Sequence, residues 1–496
     1  MRDWLTARAA ATPNREALVT GGTRLTFGEL NRQVAQLCAT WHGAGLQKGQ
    51  HVAMVMHSSP ATIVNLFAAI RLGLVLVPLA IRLTPSERRT LLFSANCRWL
   101  LPETAHEPLL LLRDDKGFDP LPLVPESNEA RVAGFGDARL TPSAPMAIVR
   151  TSGTTGKAKG AVLTVSNFFH SALGATLRLG HMPQDRWLCV MPLWHVGGLA
   201  LVTRAILLGA TVILHPGFDP ERFMHALHHE AVTIVSLVPT MLHRLLEYRD
   251  GDWPGKLRLI LLGGAPLSSE LQRRSSDSDL PVAPTWGLTE ACSQVATRLP
   301  FEARCKPGST GKPLLFTSIR IVDEAGNDKA PGEIGEIVVC GPTVMRGYWQ
   351  DPRSTSVALI DGELRTSDLG YLDEEGDLFV LQRRNDLIIS GGENVYSTEI
   401  ENVLINHDQV EDAVVLGLDD EEWGQRVGAV VQLKDPTRIA IDDFSRFLRR
   451  RLATYKVPRE WRFVDKIERS DSGKVKRSEL ARLFEDSSCH IARSTD

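Results

Sequence analysis

The chain has 496 residues, 43% of them hydrophobic, and a formal net charge of −3 with 56 basic and 59 acidic side chains well mixed. That length exceeds what one core supports and implies roughly two to four structural units, while the balanced charge argues against a nucleic-acid or membrane-surface partner, the short Arg449-Arg450-Arg451 run reading as a solvated helix face. The seven cysteines are odd in number and scattered without metal-ligand spacing, which points to free thiols in a reducing cytoplasm; the Met-Arg-Asp-Trp start lacks a signal stretch and the apolar segment Gly197 to Leu214 is broken by Arg204, so neither export nor a membrane span is expected.

In chain order, the apolar run His51–Met56 reads as a buried strand, Pro60–Leu72 as a helix and Val75–Leu79 as the next strand. The pattern recurs at Met146–Val149, Trp187–Met191, Thr211–Leu214, Thr233–Leu237 and Leu257–Leu262, most of these runs closing in a Pro- or Gly-containing turn. Such alternation predicts parallel sheets covered by helices, an α/β class. In open sheets of that kind ligands collect beyond the carboxyl ends of the strands, so the loops after these runs are where site residues are sought. From about residue 303 the texture changes to short alternating segments such as Ser318–Val322 and Glu336–Val339, a β-rich subdomain. A polar stretch after Leu378–Leu381 marks a boundary. The expected domains are 1–384, with the β-rich part at about 303–384, and a small α/β domain at 385–496 whose tail from Glu485 is expected to fray.

Several loops carry chemistry. Thr151-Ser152-Gly153-Thr154-Thr155-Gly156-Lys157-Ala158-Lys159-Gly160 combines glycines, hydroxyls and lysines, a set suited to phosphate. It lacks the four-residue spacing of a P-loop, and on its own a Ser/Thr/Gly cluster is equally a surface turn. Thr285-Trp286-Gly287-Leu288-Thr289-Glu290 offers a carboxylate and hydroxyls fit for a magnesium triphosphate, or an ordinary helix start. His195, after a strand, reads as a packed or capping residue as readily as a ligand. Arg204 puts a cation in an apolar helical run, costly unless an anion meets it, although it could also snorkel to the surface. It lies two and a half helical turns from His195, and both are expected to face one cavity.

The Thr151–Gly160 loop resembles, almost letter for letter, the phosphate loop of the adenylate-forming superfamily of acyl-CoA synthetases, peptide synthetase adenylation domains and luciferases. Leu25–Leu30, Thr285–Glu290, Thr366-Ser367-Asp368-Leu369-Gly370, Gln382–Asp386, Ser390–Tyr396 and Ser472-Gly473-Lys474-Val475 resemble further family segments in family order. The resemblance implies a large N-terminal region of two α/β subdomains plus a β-rich one, joined near Asn385 to a small mobile C-terminal α/β domain. It implies ATP, Mg2+ and CoA as cofactors or cosubstrates. The nucleotide and CoA residues would be Thr151, Ser152, Gly153, Thr154, Thr155, Lys159, Gly263, Gly264, Ala265, Thr285, Trp286, Gly287, Thr289, Asp368, Arg383, Gly391 and Gly392. Glu290 would take the metal, and Lys474 with His195 would serve catalysis. His195, Arg204, Gly264 and Thr289 would border the acid. The family usually has Gly where Ser367 and Gln382 stand, departures that put the ribose loop in question.

The strings Ser236–Thr240, Leu261–Pro266, Thr289–Gln294 and Arg383–Asn394 most resemble the o-succinylbenzoate–CoA ligase group of menaquinone biosynthesis. The resemblance therefore implies an acid–thiol ligase acting on a small-molecule dicarboxylic acid, with Arg204 holding the carboxylate that is not activated. Another aryl- or acyl-CoA ligase, a stand-alone enzyme loading a carrier protein, a luciferase-like oxygenase and a nucleotide sensor stay open as alternatives, and a homodimer is one assembly the sequence permits.

Overall fold

The structure is a computed structural model; it describes all residues except 103–108, 114–116, 122–131, 133, 136–137, 152–158, 249–252, 265–266, 268, 383–386, 436–440, 468–476, 485–491 and 494–496. The chain divides into two compact units. One comprises Met1–Ile81, Leu91–Thr151 and Gly160–Leu381; the other comprises Arg82–Thr90, Ser152–Lys159 and Gln382–Asp496. The described stretch Arg82–Thr90 of the N-terminal half thus groups with the second unit, which no change of composition announces.

The larger unit holds a nine-stranded and a seven-stranded sheet. The centre of the first is parallel, in the order Val282–Leu288, Leu259–Leu262, Ile234–Leu237, Arg186–Cys189, Thr211–Leu214, Glu16–Thr20. In the second, His51–Val55 lies parallel between Val75–Leu79 and Trp99–Leu100. The expected strands therefore form, with ends displaced by a residue or two. Their runs are apolar at almost every position because parallel strands are covered on both faces, as at Leu259–Leu262, where all are buried. The helix Pro60–Leu72 also forms as read: the Ser59 side chain caps the Thr62 amide, Pro60 starts it, and Gly73 ends it in the left-handed conformation at φ 68°.

The two ends of the parallel strands do different work. At the amino end, Asp185 accepts from the Thr233 hydroxyl at 2.8 Å and from Arg258 Nη2 at 2.6 Å, tying together the residues that precede three neighbouring strands. At the carboxyl end the chain turns into the loops described below. Helix Val196–Leu208 is apolar on nearly all sides and buried in a core shared by strands of both sheets. Together with the following strand Thr211–Leu214 it accounts for the long apolar segment, and among the described residues no helix is long and apolar enough to cross a membrane.

A third, antiparallel sheet contains Ser318–Val322, Gly335–Cys340, Glu363–Leu372, Leu359–Ile360 and Leu378–Gln382. The short helix Pro300–Cys305 precedes it, and the strand Lys312–Pro313 between them belongs to the nine-stranded sheet, so this third sheet begins at Ser318. The second unit is built on a six-stranded sheet that includes Leu387–Ser390, Glu393–Tyr396, Val410–Asp420, Gly424–Leu433 and Glu460–Val464. Its core gathers Ile388, Ile400, Val415, Val431, Phe444 and Trp461. Arg449, Arg450 and Arg451 are exposed at and just beyond the end of helix Ile441–Arg449. Of the tail expected to fray, residues 485–491 and 494–496 lie outside the described residues, while Ala492 and Arg493 pair with Trp461 and Glu460 as a short edge strand. All six cysteines among the described residues are free thiols.

Candidate active site

Gly263 and Gly264 follow strand Leu259–Leu262, and Thr285–Leu288 ends the neighbouring strand, so both fall at the carboxyl edge of the sheet. The next strand, Ser293–Thr297, runs back against Val282–Leu288 with a bulge between Trp286 and Gly287. A side chain at Gly287 would place its Cβ 1.7 Å from the Ser293 carbonyl, so the close approach of the strands requires glycine there. Trp286 is buried, and its indole N–H donates to Asp368 Oδ2 at 3.0 Å. The N–H edge of the indole is committed to Asp368. The resemblance assigns Asp368 to both ribose hydroxyls; here its Oδ2 accepts from Trp286.

Asp368 sits in strand Glu363–Leu372. Its amide donates to the Thr366 hydroxyl, which in turn donates to the Ile337 carbonyl at 2.6 Å. Between them Ser367 has φ 61°, the left-handed region, which explains why the family favours glycine at this position. The strained residue is held by its own amide, which donates to Glu336 Oε1 at 2.9 Å. Replacing Ser367 by Gly relieves that strain and is expected to raise stability by about 1 kcal/mol, read as a higher urea midpoint; a lower midpoint would mean that serine contacts outweigh the backbone cost.

Glu290 lies in the short 3-10 turn Thr289–Ala291, followed by Cys292 at φ 53° and Ser293 at φ 91°, two successive non-glycine residues in the left-handed region. Strain of this kind is kept only where surroundings enforce it. Here the Ser171 hydroxyl donates to the Cys292 carbonyl at 2.7 Å, and the Met345 amide to the Glu290 carbonyl at 2.7 Å. Glu290 Oε1 accepts from the Tyr348 hydroxyl at 2.8 Å. Burial, and then the Glu290 charge, push the Tyr348 phenol well above its ordinary range, so it remains a donor to the carboxylate; Thr151, buried at the end of strand Pro145–Thr151, adjoins it. Among the described residues no group of three or more carboxylate, His or Cys side chains forms a metal cage. A single oriented carboxylate is nonetheless what a magnesium ion needs when phosphates and water supply its remaining ligands. Tyr348 has no role in the sequence reading, because Gly347-Tyr348-Trp349 carries no charge or spacing that ties it to Glu290.

Arg204 is 2% exposed and does not snorkel. Its Nη1 donates to Gln294 Oε1 at 2.6 Å, its guanidinium lies 5.3 Å from the Trp187 ring centre, and its Nε has no partner. The other buried arginines each reach a carboxylate: Arg71 meets Asp3 at 2.9 Å, Arg298 meets Asp377 at 3.3 Å and Arg462 meets Glu460 at 3.7 Å. Among the described residues no carboxylate reaches Arg204. Burial lowers its pKa to about 10, so it stays charged at neutral pH. An unpaired buried cation costs several kcal/mol.

His195 is half-buried at the N-cap of helix Val196–Leu208, but its side chain makes no capping hydrogen bond. Its ring packs 5.9 Å from that of Trp194. The expectation that helix phase turns His195 and Arg204 to one cavity is corrected: two and a half turns set side chains on opposite sides of the axis. Arg204 points at Trp187 and Gln294, whereas His195 precedes the first turn.

In the second unit Gly391 and Gly392 form the turn between Leu387–Ser390 and Glu393–Tyr396, with φ 60° and 81°. Gly391 donates to the Trp423 carbonyl, and a Cβ on it would meet the Trp423 ring at 2.6 Å, so glycine is required by both backbone and space. Arg459 stacks on that ring at 4.6 Å. Lys159 begins strand Lys159–Thr164. Ser152, Gly153, Thr154, Thr155, Ala265, Arg383, Asn385 and Lys474 lie outside the described residues.

The family described as AMP-binding enzyme matches residues 5–349, and the AMP-binding enzyme C-terminal domain matches residues 399–474. A 2-succinylbenzoate–CoA ligase of Bacillus licheniformis is 37% identical over 488 residues, covering 96% of this chain and 99% of that protein. The o-succinylbenzoate CoA synthetase of Bacillus subtilis, as a double mutant bound to a product analogue, superposes with a TM-score of 0.88 at 33% identity, covering all of both chains. The same enzyme in complex with its acyl-adenylate intermediate gives 0.70 at 33% identity over 99% of each chain. Matching family models over most of its length and relatives of this closeness over nearly all of it, the chain belongs to the AMP-binding enzyme family.

Proposed function

We propose that the protein is an ATP-dependent acid–CoA ligase that converts o-succinylbenzoate to its CoA thioester through an acyl-adenylate. The observation that carries the choice of acid is Arg204, a buried guanidinium with no carboxylate partner among the described residues, in a chain 37% identical to a 2-succinylbenzoate–CoA ligase. An acid with two carboxylates gives one to the reaction and one to this cation.

In the first half-reaction the succinyl carboxylate of the acid attacks the α-phosphorus of ATP, and pyrophosphate leaves. Trp286 supplies the surface for the base, Asp368 accepts from the ribose, and Glu290, aimed by Tyr348, would hold a magnesium ion that neutralises phosphate charge. Lys474 stabilises the charge that develops on the α-phosphate. In the second half-reaction the CoA thiol attacks the acyl carbon and AMP leaves. The Gly391-Gly392 turn lines the path for the pantetheine arm. The C-terminal unit serves as the lid that brings Lys474 and then this turn into use, hinged near Asn385, and closure keeps water from the adenylate.

The test is ATP- and CoA-dependent pyrophosphate release over a panel of o-succinylbenzoate, benzoate, fatty acids and amino acids. Selective turnover of o-succinylbenzoate is the expected result. Selective turnover of a monocarboxylic acid would retain the ligase chemistry and remove the assigned role of Arg204.

A further inference from the structure

Arg204 is the first member of a buried polar chain. Its Nη1 donates to Gln294 Oε1 at 2.6 Å; Gln294 Nε2 donates to the Thr297 hydroxyl at 3.0 Å; the Thr297 and Thr285 hydroxyls lie 2.8 Å apart; and the Thr285 hydroxyl donates to the Ala296 carbonyl at 2.8 Å. Arg204, Gln294 and Thr297 are each no more than 3% exposed. The donor sense is fixed at the first two links. Arginine only donates, so Gln294 must present its carbonyl oxygen to it and its amide to Thr297. The Thr297 and Thr285 hydroxyls share the next hydrogen bond, in which either can donate, and the Thr285 hydroxyl also reaches a main-chain carbonyl. The chain ends on the strand that carries Trp286, with Gln294 opposite Gly287 in the register.

Two consequences follow from the chemistry of an amide at position 294. It holds the guanidinium by one nitrogen without neutralising it, and it anchors that nitrogen through two hydroxyls to the nucleotide-bearing strand. A carboxylate of the same length at this point would accept from Arg204 and satisfy the cation internally, which is how the other buried arginines of the chain are satisfied.

We infer that Gln294 is the specificity-determining positioning residue of the acid pocket: its neutral amide keeps Arg204 oriented and uncompensated, so that the pocket selects acids bearing a second carboxylate over matched monocarboxylic acids. This rests on the proposed function, since Arg204 must face the acid for its charge to select.

The experiment compares o-succinylbenzoate with 3-benzoylpropionate, the same acid without the ring carboxylate, and reads the ratio of their kcat/KM values. Gln294→Glu is expected to lower that ratio by about a hundredfold, the scale of a charge-assisted hydrogen bond lost from a buried site. Gln294→Met, which removes the anchor without supplying a charge, is expected to lower it by about tenfold, and it serves if the glutamate variant does not fold. Arg204→Ala is the control. A wild-type enzyme with no preference between the two acids overturns the acid assigned under the proposed function. A wild-type preference that Arg204→Ala abolishes but both Gln294 variants leave intact overturns the inference alone.

Discussion

Arg204→Ala is expected to lower kcat/KM for o-succinylbenzoate by roughly a hundredfold, about 3 kcal/mol, the usual cost of truncating one member of a buried charge pair formed with a ligand. With 3-benzoylpropionate the same variant is expected to change kcat/KM by no more than about threefold, because that acid offers the cation nothing to hold. The contrast is interpretable because the variant strands no countercharge: no carboxylate among the described residues pairs with Arg204. What it loses within the protein is one hydrogen bond to Gln294 and packing on Trp187. Those losses fall on stability, read in a denaturation curve, and leave the ratio between the two acids untouched. An equal fall with both acids would make Arg204 a packing element of its helix.

The largest effect is expected at Lys474. Removing one preorganised donor from developing negative charge costs about 100- to 1000-fold in rate, so Lys474→Ala should reduce acid-dependent pyrophosphate release by that factor. Thioester formation from chemically supplied acyl-adenylate and CoA should proceed at close to the normal rate, because the α-phosphate charge has already formed by then. The two halves are measured separately, by pyrophosphate release and by single-turnover consumption of the adenylate. The expectation rests on the position of Lys474 in Ser472-Gly473-Lys474-Val475, at the last residue matched by the C-terminal domain. Equal loss in both halves would take the lysine out of the chemistry of adenylation.

What the sequence disclosed and what it withheld divide along physical lines. Buried parallel strands must be apolar at consecutive positions, so runs such as Thr211–Leu214 and Val75–Leu79 could be read with their exact ends or nearly so. Loops at strand ends announce themselves by glycine and hydroxyl content, which led to Thr285–Glu290 and Ser390–Tyr396. Contacts between distant segments leave no such trace. Tyr348 reaches Glu290 from 58 positions away, and Arg204 reaches Gln294 across 90. The sense of Arg204 was legible, since a charge in an apolar helix demands a partner, but the identity of that partner was not. The pairing of Arg204 with His195 failed on helix phase alone. Ser367 is a departure from the family glycine that puts the ribose loop in question on sequence; its positive φ makes it a residue doing a glycine's job with its amide pinned by Glu336.

The two proposed recognition points each carry their own chromophore. Of the ten tryptophans, Trp286 gives its indole proton to Asp368, and Trp187 lies under the Arg204 guanidinium. Anything that draws on the Asp368 carboxylate alters the electric field along the first indole, and anything that draws on the Arg204 charge alters the field over the second. On the proposed assignment of nucleotide to Asp368 and acid to Arg204, each substrate would perturb a different indole of the unlabelled protein.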